Sequence, residues 1–353
     1  MVRFRLAASV FAAVGLAAGV CAAAAAPSPA QPEPSAAARL GHPHEVVIED
    51  TRRIAFVSGV NGHRYSIDVS IPDTPPPPEG YPVIYVLDGD GYFTSVVGAV
   101  RMNGNAPNAV VVGVGYPRDP AWAQAVLSRH RPLPPAMAEG RPFDTAVELE
   151  RQYDLSPPAD TATRGQMTIT GVRMSAPDFG GVDSFLKTIE IEIKPRVAAL
   201  ARIDKGNQTL FGHSLGGLAV VEALFTEPGA YRTFVAASPS IWWADRAVLK
   251  HEGAFDALIA AGAATPRVMV TVGALEDAVP KLPPDYAGHL AEVKAMIAKA
   301  RMVGNACDLA TRLKALKGAP GYEVADCVVF PEQSHGISVW PAIGRAVSFA
   351  YPN

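Results

Sequence analysis

The stretch Thr209-Leu210-Phe211-Gly212-His213-Ser214-Leu215-Gly216-Gly217-Leu218 decides how the chain is read. Leu210 and Phe211 have the character of a buried strand end. An apolar helix from Leu215 to about Phe225 is expected after the Gly-x-Ser-x-Gly turn. A serine on so sharp a turn takes a strained backbone conformation, and side chains two residues to either side would collide. Glycine at 212 and 216 removes the collision. The turn would lift the Ser214 hydroxyl clear of the sheet and aim the Leu215 amide at an oxyanion forming on a bound carbonyl. Ser214 is the candidate nucleophile and Leu215 the first oxyanion donor.

The elements before this turn read as a sheet. Residues 46–58 and 63–71 look like two strands, with Asn61-Gly62 between them as a hairpin turn. Tyr81 to Leu87 is a continuous apolar run, as in a strand covered on both faces. It ends in Asp88-Gly89-Asp90-Gly91, where a backbone N–H of Gly89 or Asp90 could supply the second oxyanion donor. Ala109 to Val114 is the next buried strand. Residues 118–178 lack clear periodicity and read as an insertion at the active-site rim. They carry Arg118, Arg129, Arg131, Arg141, Arg151, Arg164 and Arg173, which raises the prospect of an anionic substrate.

A helix over 181–200, with a kink or a break expected at Pro195, leads into the central stretch. After it, strand Thr233–Ala237, helix 244–261, strand Val268–Val272, helices near 285–302 and 306–317, strand Val324–Phe330 and a last helix beyond Ile337 are expected. Strands alternating with helices imply an α/β architecture: a mostly parallel central sheet with helices on both faces.

A serine hydroxyl needs a base within reach and a group to orient that base. His335, in Ser334-His335-Gly336 just after the final strand, sits where a base would be held over the nucleophile. The acid is expected after strand 268–272, where Glu276 and Asp277 are adjacent, with Glu276 favoured. A Ser-His pair without a close acid stays open. His213 adjoins the nucleophile, but its side chain should point elsewhere.

Composition bounds the class. The chain has 353 residues, 49% hydrophobic, with formal net charge −3. A pI near 6.2 gives no reason to expect a nucleic-acid partner. Arg3 and Arg5, the apolar run Leu6–Val20 and the alanines at 22–26 read as a signal peptide over residues 1–26. Residues 27–42 then form a Pro/Ala-rich tether, and 43–353 the folded domain. The protein is expected to be exported to the periplasm. Val20 before Cys21 argues against a lipid anchor, and no later apolar run reaches the ~18 residues of a membrane span. An exported chain permits a disulfide between Cys307 and Cys327, against two buried free thiols. No metal-ligand spacing surrounds either cysteine.

Several stretches together resemble one family. They are Tyr85-Val86-Leu87-Asp88-Gly89, Val110-Val111-Val112-Gly113-Val114-Gly115-Tyr116-Pro117, Arg151-Gln152-Tyr153-Asp154-Leu155-Ser156-Pro157 and Gly180-Gly181-Val182-Asp183-Ser184-Phe185-Leu186. The turn around Ser214 and Ser238-Pro239-Ser240-Ile241-Trp242-Trp243 complete the set. The family is the bacterial putative-esterase family of α/β hydrolases, in particular exported esterases that open trilactone siderophores such as enterobactin and salmochelin. The resemblance runs from about residue 45 to 345 and implies an α/β-hydrolase fold, with Ser214 as nucleophile and His335 as base. Residues 121–145 and 161–176 do not follow the family pattern, which bears on substrate rather than chemistry.

The expected activity is hydrolysis of the esters of a catecholate siderophore, free or ferric. Iron would arrive on the substrate, so no protein cofactor is expected. Trp242 and Trp243 are candidates for a flat surface against catechol rings, or at least one is core. Arg151 is a candidate for meeting catecholate charge, or pairs with Asp154 or another acid. Two rivals remain: a general carboxylesterase or acyltransferase acting on small acyl esters, and a non-catalytic siderophore-binding protein.

Overall fold

The computed structural model describes residues 47–103, 108–129, 141–159, 179–281, 288 and 290–352, with the backbone of 168–169 and 172–173. The expected signal peptide and tether lie outside the described residues.

The hairpin expected at Asn61-Gly62 forms: β1 (Thr51–Val57) pairs antiparallel with β2 (Arg64–Ser70), and Gly62 takes φ 76°. Next come β3 (Tyr81–Val86), α1 (Gly89–Met102) and β4 (Val110–Gly115). Both β3 and β4 are buried along their whole length, as continuous apolar runs require.

The region 118–178 is more regular than its sequence suggested. It contains α2 (Pro120–Arg129), α3 (Pro142–Asp154) and a short hairpin of β5 (Thr168–Ile169) with β6 (Val172–Arg173). Helix α3 buries Ala146 and Leu149, but also Glu150 and Asp154, which is why an apolar stripe was hard to see. The buried Asp154 carboxylate accepts hydrogen bonds from Tyr65 Oη at 3.1 Å and Tyr116 Oη at 3.0 Å, fastening α3 to β2 and to the end of β4.

The expected helix 181–200 is broken as proline predicts. α4 (Val182–Thr188) passes through a π turn (Ile189–Ile193) into α5 (Lys194–Ala198), with Pro195 in its first turn. β7 (Ile203–His213) then leads to Ser214 and α6 (Leu215–Thr226), followed by β8 (Thr233–Ala237). The helix expected over 244–261 starts late. Ala244, Asp245 and Arg246 have φ of 47°, 54° and 65°, and only α7 (Glu252–Ala260) is α-helical. β9 (Arg267–Gly273), α8 (Leu290–Ala300) and α9 (Met302–Ala315) follow. The single strand expected over 324–330 is two, β10 (Glu323–Val324) and β11 (Val328–Phe330), and α10 (Val339–Ala350) closes the chain.

The main sheet has nine strands in the order β1-β2-β4-β3-β7-β8-β9-β10, with β11 also pairing β9. The β1–β2 and β2–β4 pairs are antiparallel and the rest parallel. Alternation along the strands sorts the core into two layers. Val83, Tyr85 and Leu87 face one apolar layer that includes residues of α4, α6, α7 and α9. Ile84 and Val86 face another, built with Phe93 and Val97 of α1 and Ile343 and Val347 of α10. Among the described residues, no helix is long and apolar enough to cross a membrane.

Cys307 of α9 and Cys327, in the link between β10 and β11, are joined by a disulfide across 20 residues of sequence. Closing a loop of that size contributes about 3 kcal/mol in the chain-entropy model. The unreduced protein is expected to run two hydrogens light by mass spectrometry. A Cys307→Ala/Cys327→Ala variant should lose about 3 kcal/mol in a denaturant melt; two alkylatable thiols in the untreated protein would contradict the pairing.

Candidate active site

Ser214 sits between the end of β7 and α6 with φ 60° and ψ −118°, a conformation that costs a non-glycine residue of order 1–3 kcal/mol. The neighbours hold it there. Its N–H donates to Ala237 O at 3.0 Å, and its carbonyl accepts from Leu218 N at 3.0 Å and Ser240 N at 3.1 Å. A Cβ on Gly212 would lie 2.3 Å from Gly216 O, so glycine is obligatory at 212. On the other side the tighter constraint falls one residue later than the motif suggests. A Cβ at Gly217 would lie 2.7 Å from Ala237 O, whereas at Gly216 the nearest atom is Asp88 Oδ2 at 3.1 Å.

His335 follows β11 and bridges Ser214 to an acid. Its Nε2 is 2.9 Å from Ser214 Oγ, and its Nδ1 is 2.6 Å from Glu276 Oε2. A carboxylate only accepts, so Nδ1 carries the proton and Nε2 is the lone pair facing the serine hydroxyl. Glu276 is 4% exposed, and its other oxygen accepts from Ser238 Oγ at 2.6 Å and Gly273 N at 2.7 Å. Burial alone would raise its pKa, but the bonds from His335, Ser238 and Gly273 together hold it below the ordinary glutamate value. The adjacent Asp277 is exposed and instead accepts from Val303 N at 3.3 Å, in the first turn of α9. The turn after β9 thus brings Glu276, and not Asp277, to the histidine.

Three buried side chains without a role in the sequence reading, His213, Ser238 and Ser338, complete the support. His213 does point away from the serine. Its Nε2 is 2.9 Å from His335 O and its Nδ1 3.2 Å from Tyr92 Oη. A carbonyl only accepts, so Nε2 carries the proton and Nδ1 takes the tyrosine hydroxyl. Burial, then the nearby His335, pushes the His213 pKa well down and keeps the ring neutral, as that pattern needs. Ser338 Oγ lies 2.9 Å from both His335 O and Ser238 Oγ; Ser238 gives its own hydrogen to Glu276, so the single Ser338 hydrogen serves one of these two acceptors at a time. His335 is therefore held at its ring by Glu276 and at its backbone carbonyl by His213, with Ser338 beside that carbonyl.

Two helix N-termini converge here. In α6 the first backbone donor within the helix is Leu218, so the amides of Leu215 to Gly217 precede it. In α1 the first such donor is Gly91, to Asp88 O at 2.9 Å, so the amides of Gly89 and Asp90 precede it. β3 lies beside β7, with Leu87 N bonded to Phe211 O at 2.9 Å, which puts the turn at 88–90 next to the one that carries Ser214. The Asp90 carboxylate is turned away, accepting from Tyr116 N at 2.8 Å.

For the candidate substrate contacts the geometry matches the alternatives that the sequence left open. Trp243 is 3% exposed and packs edge-on to Phe179 at 6.1 Å between centroids, so it belongs to the core. Trp242 is half-buried beside it. Among the described residues, Trp340 is an exposed aromatic, 48% exposed, in the first turn of α10 after the His335 loop and edge-on to Tyr92. Arg151 pairs with Asp88, neither with Asp154 nor outward. The arginine-rich rim is likewise no free cationic face where it is described. Arg118 faces Asp90, Arg129 faces Glu150, and Arg141 faces Asp144. Arg131, Arg164 and the side chain of Arg173 lie outside the described residues.

Comparison with known proteins places this arrangement. Residues 153–309 match the family described as "Putative esterase". The chain is 33% identical over 305 residues to ferri-bacillibactin esterase BesA of Bacillus subtilis, covering 84% of this chain and 88% of that one. It is 28% identical over 268 residues to a siderophore triacetylfusarinine C esterase of Aspergillus fumigatus, covering 73% and 80%. Among solved structures, the BES protein from Bacillus cereus superposes with TM-score 0.67 at 27% identity, over 89% of this chain and all (100%) of that one.

The two carboxylates should separate cleanly. Glu276→Gln is expected to lower kcat by on the order of 10³–10⁴-fold on a simple ester, with Asp277→Asn close to wild type; equal small losses would leave a Ser-His pair acting alone. Because the folded-state pKa of Glu276 lies below the ordinary 4.5, the stability it contributes is complete above that value and is lost as pH falls through the lowered one. The stability gap between wild type and Glu276→Gln should therefore shrink in urea melts taken at successively more acid pH.

Proposed function

The chain belongs to the putative-esterase family of α/β hydrolases, and from that premise we propose that it is a serine esterase that opens the ester bonds of a catecholate trilactone siderophore, free or ferric. The observation that carries the reading is the continuous chain from Ser214 Oγ through His335 to the buried Glu276, at 2.9 and 2.6 Å. In this mechanism Ser214 attacks an ester carbonyl while His335 Nε2 takes its proton, and Glu276 stabilises the imidazolium that forms. The Leu215 amide and an amide of Gly89 or Asp90 receive the oxyanion, each group already oriented in a helix N-terminus. His335 then protonates the leaving alkoxide, and water repeats the sequence on the acyl-serine.

The substrate class rests on two supports. Two relatives that align over most of the chain carry siderophore names, ferri-bacillibactin among them. Trp340 and Tyr92 also offer aromatic surface next to the histidine-bearing loop, suited to flat rings. Iron enters as part of the substrate. The same reading puts the mature enzyme in the periplasm after removal of residues 1–26. A basic start followed by an apolar run, and the Cys307–Cys327 bond, support export.

Incubation with enterobactin and its ferric complex, followed by chromatography, tests this. Linear trimer or smaller fragments are expected with wild type and not with Ser214→Ala, whose turnover should fall by about 10⁵–10⁶-fold. An intact trilactone alongside cleavage of a short p-nitrophenyl ester would keep the chemistry and overturn the substrate.

A further inference from the structure

Arg151 and Asp88 form a fork that the reaction scheme does not use. The guanidinium donates from Nε to Asp88 Oδ1 at 2.8 Å and from Nη2 to Oδ2 at 2.9 Å. Both side chains are largely buried, 16% and 12% exposed, and Glu148 stands 3.4 Å from Nη1. The two partners come from different parts of the fold. Arg151 belongs to α3 in the rim, and Asp88 is the residue that turns β3 into α1.

Three features make Asp88 an unusual place for a carboxylate. Its backbone is left-handed, φ 53° and ψ 44°, without a glycine to relieve it, and its side chain does not cap the helix that it opens. Its carbonyl accepts from Gly91 N and Tyr92 N, so its conformation sets where the amides of Gly89 and Asp90 point. Its Oδ2 lies 3.1 Å from where a Cβ on Gly216 would stand, which puts the carboxylate against the first turn of α6. A negative charge thus sits between the two sets of amides assigned to the oxyanion. Unpaired, it would oppose the charge that those amides are there to receive. Gly89 itself packs tightly on β4, where an added Cβ would lie 2.5 Å from the Gly113 backbone.

We propose that Arg151 is a positioning residue for the oxyanion site: it neutralises Asp88 and locks the left-handed turn, so that the rim helix α3 is bolted to the catalytic centre. In this role it does not meet the charge of the substrate. The inference rests on the esterase reading above.

The test uses the full-length protein with a neutral short-chain p-nitrophenyl ester and, in parallel, ferric enterobactin. Arg151→Met is expected to lower kcat about 100-fold on both, with KM changed by less than about threefold. Arg151→Lys, which keeps the charge but loses the fork, should fall in between. Asp88→Asn should be milder than Arg151→Met, since it removes the opposing charge. Arg151→Met/Asp88→Asn should regain about tenfold or more over Arg151→Met, because the unpaired carboxylate is gone. A residue serving only the fold would show neither the kcat-specific loss nor that recovery. Unchanged kcat on the neutral ester with a raised KM for the ferric siderophore would overturn the proposal in favour of substrate contact, as would a double variant no better than Arg151→Met. Should Arg151→Met not fold, the order Asp88→Asn above Arg151→Lys on the neutral ester decides, and the reverse order overturns the proposal. Wild-type turnover abolished by Ser214→Ala isolates the esterase reading, so a failure among the 88 and 151 variants falls on this inference alone.

Discussion

The backbone of Ser214, held at φ 60° and ψ −118° where β7 becomes α6, is the constraint on which the rest of the structure depends. A strained residue stays strained only when its surroundings leave no alternative. Here the surroundings are the central strands themselves. β8 supplies the carbonyl of Ala237 that fixes the Ser214 amide, and the same carbonyl crowds Gly217. The parallel register of β7 with β3 and β8 brings the 88–90 turn and the start of the 238–240 turn to the same end of the sheet. The fold is thus a way of delivering two loop beginnings to one strained serine.

Electrostatics at this end are balanced in pairs. Glu276 is buried and charged, and three donors hold it so. His213 is buried and neutral, which lets it donate to the backbone of His335 without adding charge beside the imidazole. Asp88 is buried and charged, and Arg151 answers it. A hydrolytic centre that must stabilise a transient oxyanion tolerates fixed negative charge only where each carboxylate has a committed partner. The bonds from His335, Ser238 and Gly273 meet that condition for Glu276, and the fork from α3 meets it for Asp88.

The sheet was legible because fully buried parallel strands read as unbroken runs of Val, Ile and Leu, and because Gly212 punctuates the turn that matters. Ser214 and His335 could be assigned from order along the chain, since both follow strands. The choice of Glu276 over Asp277 could not be settled, because the tight turn at Gly273–Ala278 decides which of two adjacent carboxylates faces inward. The roles of Ser238, Ser338 and His213 were hidden for a related reason: each acts through a partner 38 to 122 residues away in sequence. The arginines of the rim looked like a cationic face because their acids, Asp88, Asp90 and Glu150, either lie in earlier elements or read as solvated charges. Which of Trp242 and Trp243 belongs to the core stays open in the sequence, because nothing in it signals that Phe179 covers Trp243.

The central claim is that Ser214, activated by His335, is the nucleophile of an ester hydrolase. Reaction of the full-length protein with an alkyl fluorophosphonate, followed by peptide mapping, tests it most directly. The account expects one adduct per chain, on Ser214, formed rapidly in wild type and slowed by orders of magnitude in His335→Ala. An adduct on another serine, or labelling of Ser214 at the same rate without His335, would contradict it.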